Sequence, residues 1–169
     1  MTVYTLDALE TCRSPLEALN TRIEVLAAMS GFLAGVLARC SNETLRHKPS
    51  AELFSVLEQV CHLRDIEIEG YTVRLERILA EHHPVLPDID GSRLAIERRY
   101  NEEEVGPAFM AFRAAREKNL QRLRKLTMAE LERKAVMDVA GEISLARLIA
   151  MWVAHDAGHR DELAACVSA

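Results

Sequence analysis

SLARLIAMWVAHDAGHRDEL, residues 144–163, is the stretch on which the reading of this chain turns. Ser144 is a helix-capping residue type, and behind it Leu145, Leu148, Ile149, Trp152, His155, His159 and Leu163 recur every three or four positions. That spacing lays one apolar stripe along a helix running to about residue 165, with two histidines inside the stripe. A stripe of this kind is stable only when another element covers it.

Three more such elements precede it. Ser14-Pro15-Leu16-Glu17 combines a capping serine, a proline at the first helical position and a glutamate that completes a capping box. Leu16, Leu19, Ile23, Leu26, Met29, Leu33 and Val36 then predict a helix over 15–39. Ser55 and Glu58 form a second box, opening a helix over 56–81 with Leu57, Val60, Leu63, Tyr71, Leu75 and Ile78 inward. Asn101 with three following glutamates predicts a cap for a third helix over 102–125, marked by Val105, Phe109, Phe112, Leu120 and Leu123. Between these lie a connector at 41–49 with room for one helical turn and a breaker-rich crossing loop from Pro84 to Gly91. A short helix capped by Thr127 and Glu130 follows, then a turn or small hairpin at 136–143 centred on Gly141. Four amphipathic helices in one domain spanning 1–169, with its core at about 15–165, predict an all-α four-helix bundle.

Composition narrows the function classes. Lys and Arg total 21 against 26 Asp and Glu, a net charge of −5, and no basic block exists to displace counterions from nucleic acid. The longest apolar run, Val25–Ala38, is shorter than the roughly 18 residues a membrane span needs. The N-terminus lacks the charged and apolar regions of a signal peptide, so the expected location is the cytoplasm. Cys12, Cys40, Cys61 and Cys166 are scattered without a C-x-x-C pair and read as idle thiols in a reducing compartment.

Of six histidines, His155 and His159 are four apart and leave the fourth helix on one face. His62, at the edge of the second helix's stripe, is placed to supply a third ring from a facing surface. Three imidazoles with open positions make a catalytic rather than a structural metal pattern. Neutral nitrogen donors suit Zn²⁺, Ni²⁺ or Fe²⁺ better than Mg²⁺ or Ca²⁺. Three separately satisfied core histidines fit the spacing as well. A di-iron site is excluded because no Glu lies three residues before a His, and a zincin fits poorly because Asp156, not Glu, follows His155. His82 and His83 read as solvated caps of the second helix and His47 as a loop residue. Glu67 and Arg116 fall on apolar faces, which reads as a partly buried ion pair or as groups lining the site.

The chain resembles the DinB/YfiT-like superfamily of bacterial four-helix-bundle proteins. The residues that carry the resemblance are Phe54-Ser-Val-Leu-Glu58, His62-Leu-Arg-Asp-Ile-Glu67, Arg98-Arg-Tyr100, Phe112-Arg-Ala-Ala-Arg116 and Trp152-Val-Ala-His155-Asp-Ala-Gly-His159. The resemblance implies an up-down-down-up bundle, a divalent metal, zinc or nickel, on His62, His155 and His159, and a homodimer. It also implies thiol-linked chemistry, S-transfer or isomerisation with a low-molecular-weight thiol, or hydrolysis of a small-molecule substrate. A non-catalytic metal-binding bundle, serving as a dimeric interaction or stress protein, is the competing class. An open ion with a pocket beside it separates the two.

Overall fold

The computed structural model describes residues 15–138 and 140–166. The expected Ser14 cap and the Cys12 thiol lie outside them. Four helical rods form the body. The first is α1 (Pro15–Leu37), followed by the single turn α2 (Asn42–Arg46). The second rod is α3 (Val56–Asp65), a π-helical segment (Ile66–Thr72) and α4 (Val73–Ala80). A crossing loop leads to the short α5 (Gly91–Glu97), a 3₁₀ turn (Tyr100–Glu102) and the third rod, α6 (Val105–Leu123). After α7 (Met128–Leu131) come two antiparallel strands, β1 (Lys134–Met137) and β2 (Gly141–Ser144), and the last rod α8 (Leu145–Cys166).

The contacts fix the rod directions. Arg22 reaches the Ala146 carbonyl and Arg160 lies over Phe32, so α1 and α8 are parallel. Ser55 bonds Asn101 and Glu67 bonds Arg116, so the second and third rods are parallel too. His62 meets His155 while Gln59 meets Glu162, so the second and fourth rods run opposite ways. The order is up-down-down-up.

The capping boxes at Ser55–Glu58 and Thr127–Glu130 are both formed, and Ser144 Oγ accepts from the Arg147 amide. The third predicted cap is not. The α6 helix starts at Val105, and its N-cap Glu104 makes no side-chain cap bond. Asn101 has stronger partners elsewhere: its Oδ1 accepts from Ser55 Oγ at 2.7 Å and its Nδ2 donates to the Arg46 carbonyl at 3.0 Å. The hairpin forms with Gly141 at φ +67°, a left-handed conformation that glycine adopts without a Cβ clash. The crossing loop adds a rung to it, as Leu86 N donates to Val136 O and Val136 N to Pro84 O. His82 and His83 lie beyond the end of α4, whose C-cap is Glu81, so they do not cap that helix; His83 instead pairs with Glu142 at 3.0 Å.

The core divides into two apolar clusters. One holds Leu26, Ile66, Leu120, Ile149 and Trp152; the other holds Met29, Leu63, Phe112 and Leu163. The division falls at one level on all four rods. At that level stand the buried polar side chains: Glu67 on the second rod, Arg116 on the third, and Asp156 beside His155 and His159 on the fourth.

Candidate metal centre

The Ser55 box starts α3 so that its second turn presents His62 to α8, where the four-residue spacing presents His155 and His159 on one face. The three rings converge. His62 Nε2 lies 3.3 Å from His155 Nε2, and His159 Nε2 lies 3.2 Å from it. The candidate ligand atoms of all three residues lie within 4.8 Å of one another. An ion with Zn–N bonds of about 2.0–2.1 Å and tetrahedral angles sets neighbouring nitrogens about 3.3 Å apart, the spacing that His155 Nε2 keeps from both His62 Nε2 and His159 Nε2.

Electrostatics keeps the donors available. Burial, reinforced by the two neighbouring histidines, lowers the His62 pKa to about 3. Burial, with His155 next, lowers that of His159 to about 4. Both rings are therefore neutral near pH 7, the form that binds metal. Gln59, one turn before His62, fixes the tautomer of His159. Its amide oxygen can only accept, so His159 Nδ1 donates to it and the lone pair is left on Nε2. The Gln59 amide nitrogen donates to Glu162, which itself lies 3.5 Å from His159 Nδ1. The Nδ1 atoms of His62 and His155 are buried without a hydrogen-bond partner. Rings that turn their Nε2 atoms toward one another, instead of toward a carbonyl or carboxylate, form a donor set that could hold a metal ion.

Aromatic side chains lie against two of the rings. Phe54 lies 5.4 Å from His62, and Tyr71 sets its edge toward His155 at 5.8 Å. Tyr71 stacks on Trp152 with centroids 4.4 Å apart and planes within 3°. Beside Phe54, Gln59 and Glu162 opens a cavity of about 420 Å³, further lined by Leu53, Ala165 and Cys166. That volume is in the range of small-molecule sites.

Glu67 and Arg116 do not line the centre, and Asp156 reaches only its edge, with Oδ1 3.9 Å from His155 Nδ1. They lock together in the core beneath it, and the ion-pair reading of Glu67 and Arg116 is the one the structure shows. Arg116 Nη2 donates to Glu67 at 2.8 Å, Nη1 to Asp156 at 2.6 Å and to the Leu26 carbonyl at 2.8 Å. Glu67 also accepts from Asn119 and from Trp152 Nε1. With two carboxylates on one guanidinium, burial pushes Glu67 up, whereas Arg116 outweighs burial at Asp156 and holds it low. Asp156 is 1% exposed and held by Arg116, so it is not a free base for the centre. Among the described thiols, burial pushes Cys61 up to about 12 and raises Cys40 and Cys166, which disfavours their thiolates.

Sequence reading missed Gln59, although a glutamine three residues before a candidate ligand, on the same helix face, was a usable signal. His47 lines the cavity rather than the centre, His83 pairs with Glu142, and His82 is exposed. Among the described residues no helix is long and apolar enough to cross a membrane.

A family model, that of the DinB superfamily, matches residues 26–163. No curated protein matches the chain. Among solved structures, one reported as "YfiT from Bacillus subtilis is a probable metal-dependent hydrolase with an unusual four-helix bundle topology" aligns with a TM-score of 0.82 and 18% identity, over 89% of this chain and 86% of its own. At that identity the likeness is one of fold.

Proposed function

The chain belongs to the DinB superfamily, and from that premise we propose that it is a metal-dependent enzyme whose divalent transition ion is held by His62, His155 and His159. The observation that carries the reading is the convergence of three Nε2 atoms, with His159 held in the binding tautomer by Gln59. An ion bound there supplies Lewis acidity, making a nucleophile of water or of a thiol near neutral pH. Three neutral ligands leave its charge undiminished, which favours that role.

The protein's own groups do the rest. His62 and His159 stay unprotonated because they are buried. Phe54 against His62 and Tyr71 against His155 give the rings apolar neighbours, which strengthens electrostatic interactions there. The cavity beside Phe54 and Glu162 takes the body of a small-molecule substrate. Burial disfavours the thiolates of Cys40, Cys61 and Cys166, which favours an external low-molecular-weight thiol as the attacking thiolate in the transfer chemistry, while hydrolysis uses water. YfiT, reported as a probable metal-dependent hydrolase, agrees with the second chemistry.

Metal content of the purified protein, measured beside the His155→Ala/His159→Ala double variant, tests the site. About one ion per chain in the wild type and none in the variant is expected; equal content in both sinks the assignment. Panels of esters, amides and thiol-reactive electrophiles, each with and without added thiol, then separate hydrolysis from thiol transfer.

A further inference from the structure

Gly91, the first residue of α5, sits against the His62 ring. A Cβ built on Gly91 would lie 2.3 Å from His62 Cε1 and 2.5 Å from His62 Nδ1. Non-bonded carbons settle at about 3.5–4.0 Å, so no side chain fits there while the ring stays where it is. The glycine is not needed for the backbone, because Gly141 is the described glycine with positive φ. What requires glycine at position 91 is the imidazole.

We propose that Gly91 is a positioning residue of the metal centre: its missing side chain sets the direction in which His62 presents Nε2 to His155 and His159. The proposal rests on the metal-binding reading above. Its physical basis is a contest between a pinned loop and a rotatable ring. The loop is pinned along its length. Leu86 N donates to Val136 O at 2.8 Å and Val136 N to Pro84 O at 2.9 Å. Arg74 Nε and Nη2 both donate to the Pro87 carbonyl, at 3.1 and 3.0 Å. Leu86 is buried and Ile89 packs on both apolar clusters. Asp90 caps α5, its Oδ1 accepting from Arg93 N at 2.9 Å. The His62 side chain has two torsions, and its Nδ1 has no hydrogen bond to resist rotation. A methyl group at position 91 therefore displaces the ring rather than the loop, and the 3.3 Å spacing between His62 Nε2 and His155 Nε2 is lost.

The test uses Gly91→Ala, with Gly106→Ala as control because a Cβ at Gly106 meets nothing within 4 Å. Affinity for Zn²⁺ and Co²⁺ is measured by competition with a chromophoric chelator. The unfolding midpoint of the metal-free protein is measured in wild-type and His62→Ala backgrounds. Gly91→Ala is expected to weaken both ions by about tenfold or more, the scale of a lost supporting contact, and Gly106→Ala to leave them unchanged. Gly91→Ala should lower the midpoint when His62 is present and not when it is alanine. Wild-type affinity in Gly91→Ala overturns the proposal, as does an equal loss of midpoint in both backgrounds. If Gly91→Ala alone does not fold, the Gly91→Ala/His62→Ala double variant must fold, and its failure is equally fatal. A wild-type protein that takes up neither ion overturns the proposed function and this inference together; a Gly91→Ala protein that binds normally overturns this inference alone.

Discussion

Gln59 and His159 face each other between the second and fourth rods, the amide oxygen of the glutamine accepting the Nδ1 proton of the histidine. The pairing is 100 residues apart in sequence. It settles which nitrogen of His159 carries the proton, and it leaves Nε2 pointing toward His155. Glu162, bonded to the other end of the same amide, keeps the glutamine from flipping.

Replacing Gln59 by leucine removes the acceptor and keeps most of the volume. His159 is then free to take the other tautomer or to turn. Metal affinity should fall by about 10–100-fold, as for other partners of ligating histidines. Helicity should be retained. Chelator competition reads the first and circular dichroism the second. Unchanged affinity would show that the amide has no hold on the ring.

His159→Ala should abolish stoichiometric binding of Zn²⁺ or Ni²⁺ and leave the fold in place. The two apolar clusters, from Leu26 and Trp152 to Met29 and Phe112, do not include the histidines. Fully buried side chains of that kind stabilise by about 1.5–3 kcal/mol each, and many remain. His82→Ala should change neither property, because His82 is exposed beyond the end of α4. Isothermal titration with each ion checks all three proteins; an unchanged isotherm for His159→Ala would contradict the ligand set.

The bundle was legible because each rod carries its stripe at helical spacing and two of the rods begin at caps that form, Ser55 and Ser144. Ser55 with Glu58 and Thr127 with Glu130 are local signals, and both motifs formed. Asn101 shows the limit of such signals: it looks like a cap, yet Ser55 and Arg46, distant in sequence, take its side chain. The π-helical turn left only a faint trace, the wide spacing of Leu63, Glu67 and Tyr71, four residues each, where a straight α-helix drifts off the face. Its effect is large, since it sits where Glu67 enters the core toward Arg116. The His155 and His159 pair was readable from spacing alone. That His62 meets it depends on two rods packing antiparallel, which no local pattern encodes. In sequence Gly91 is only the end of a breaker-rich loop, because its partner is a ring on another element.

Arg116→Met should cost about 3–5 kcal/mol of stability, the usual penalty for leaving a buried charge without its partner. The guanidinium is 1% exposed and holds two carboxylates, Glu67 and Asp156, that otherwise face each other in the core. Adding Glu67→Gln and Asp156→Asn to Arg116→Met should restore part of the loss, since the repelling charges are then gone. Urea midpoints of the single and triple variants decide it. A triple variant less stable than Arg116→Met would mean that hydrogen bonds from Trp152 and Asn119, not charge, dominate the cluster.

Asp65 Oδ2 accepts from Tyr100 Oη and from Arg98 Nη1, each at 2.6 Å, and Oδ1 accepts from Arg64 Nε at 2.6 Å. Burial works to raise its pKa, but the bonds from Arg64, Tyr100 and Arg98 together win and hold it below the usual carboxylate range. A carboxyl whose folded pKa is depressed contributes stability that is present above its unfolded value, about 3.9, and is lost as pH falls through the lower folded value. Asp65→Asn should therefore cost about 3 kcal/mol at pH 7, with the difference from wild type narrowing below about pH 3.9. Taking the difference between the two proteins removes the contribution of every other titrating group. Denaturant midpoints at pH 7, 5 and 3 measure it, and a gap that stays constant over that range would show that Asp65 acts through shape rather than charge.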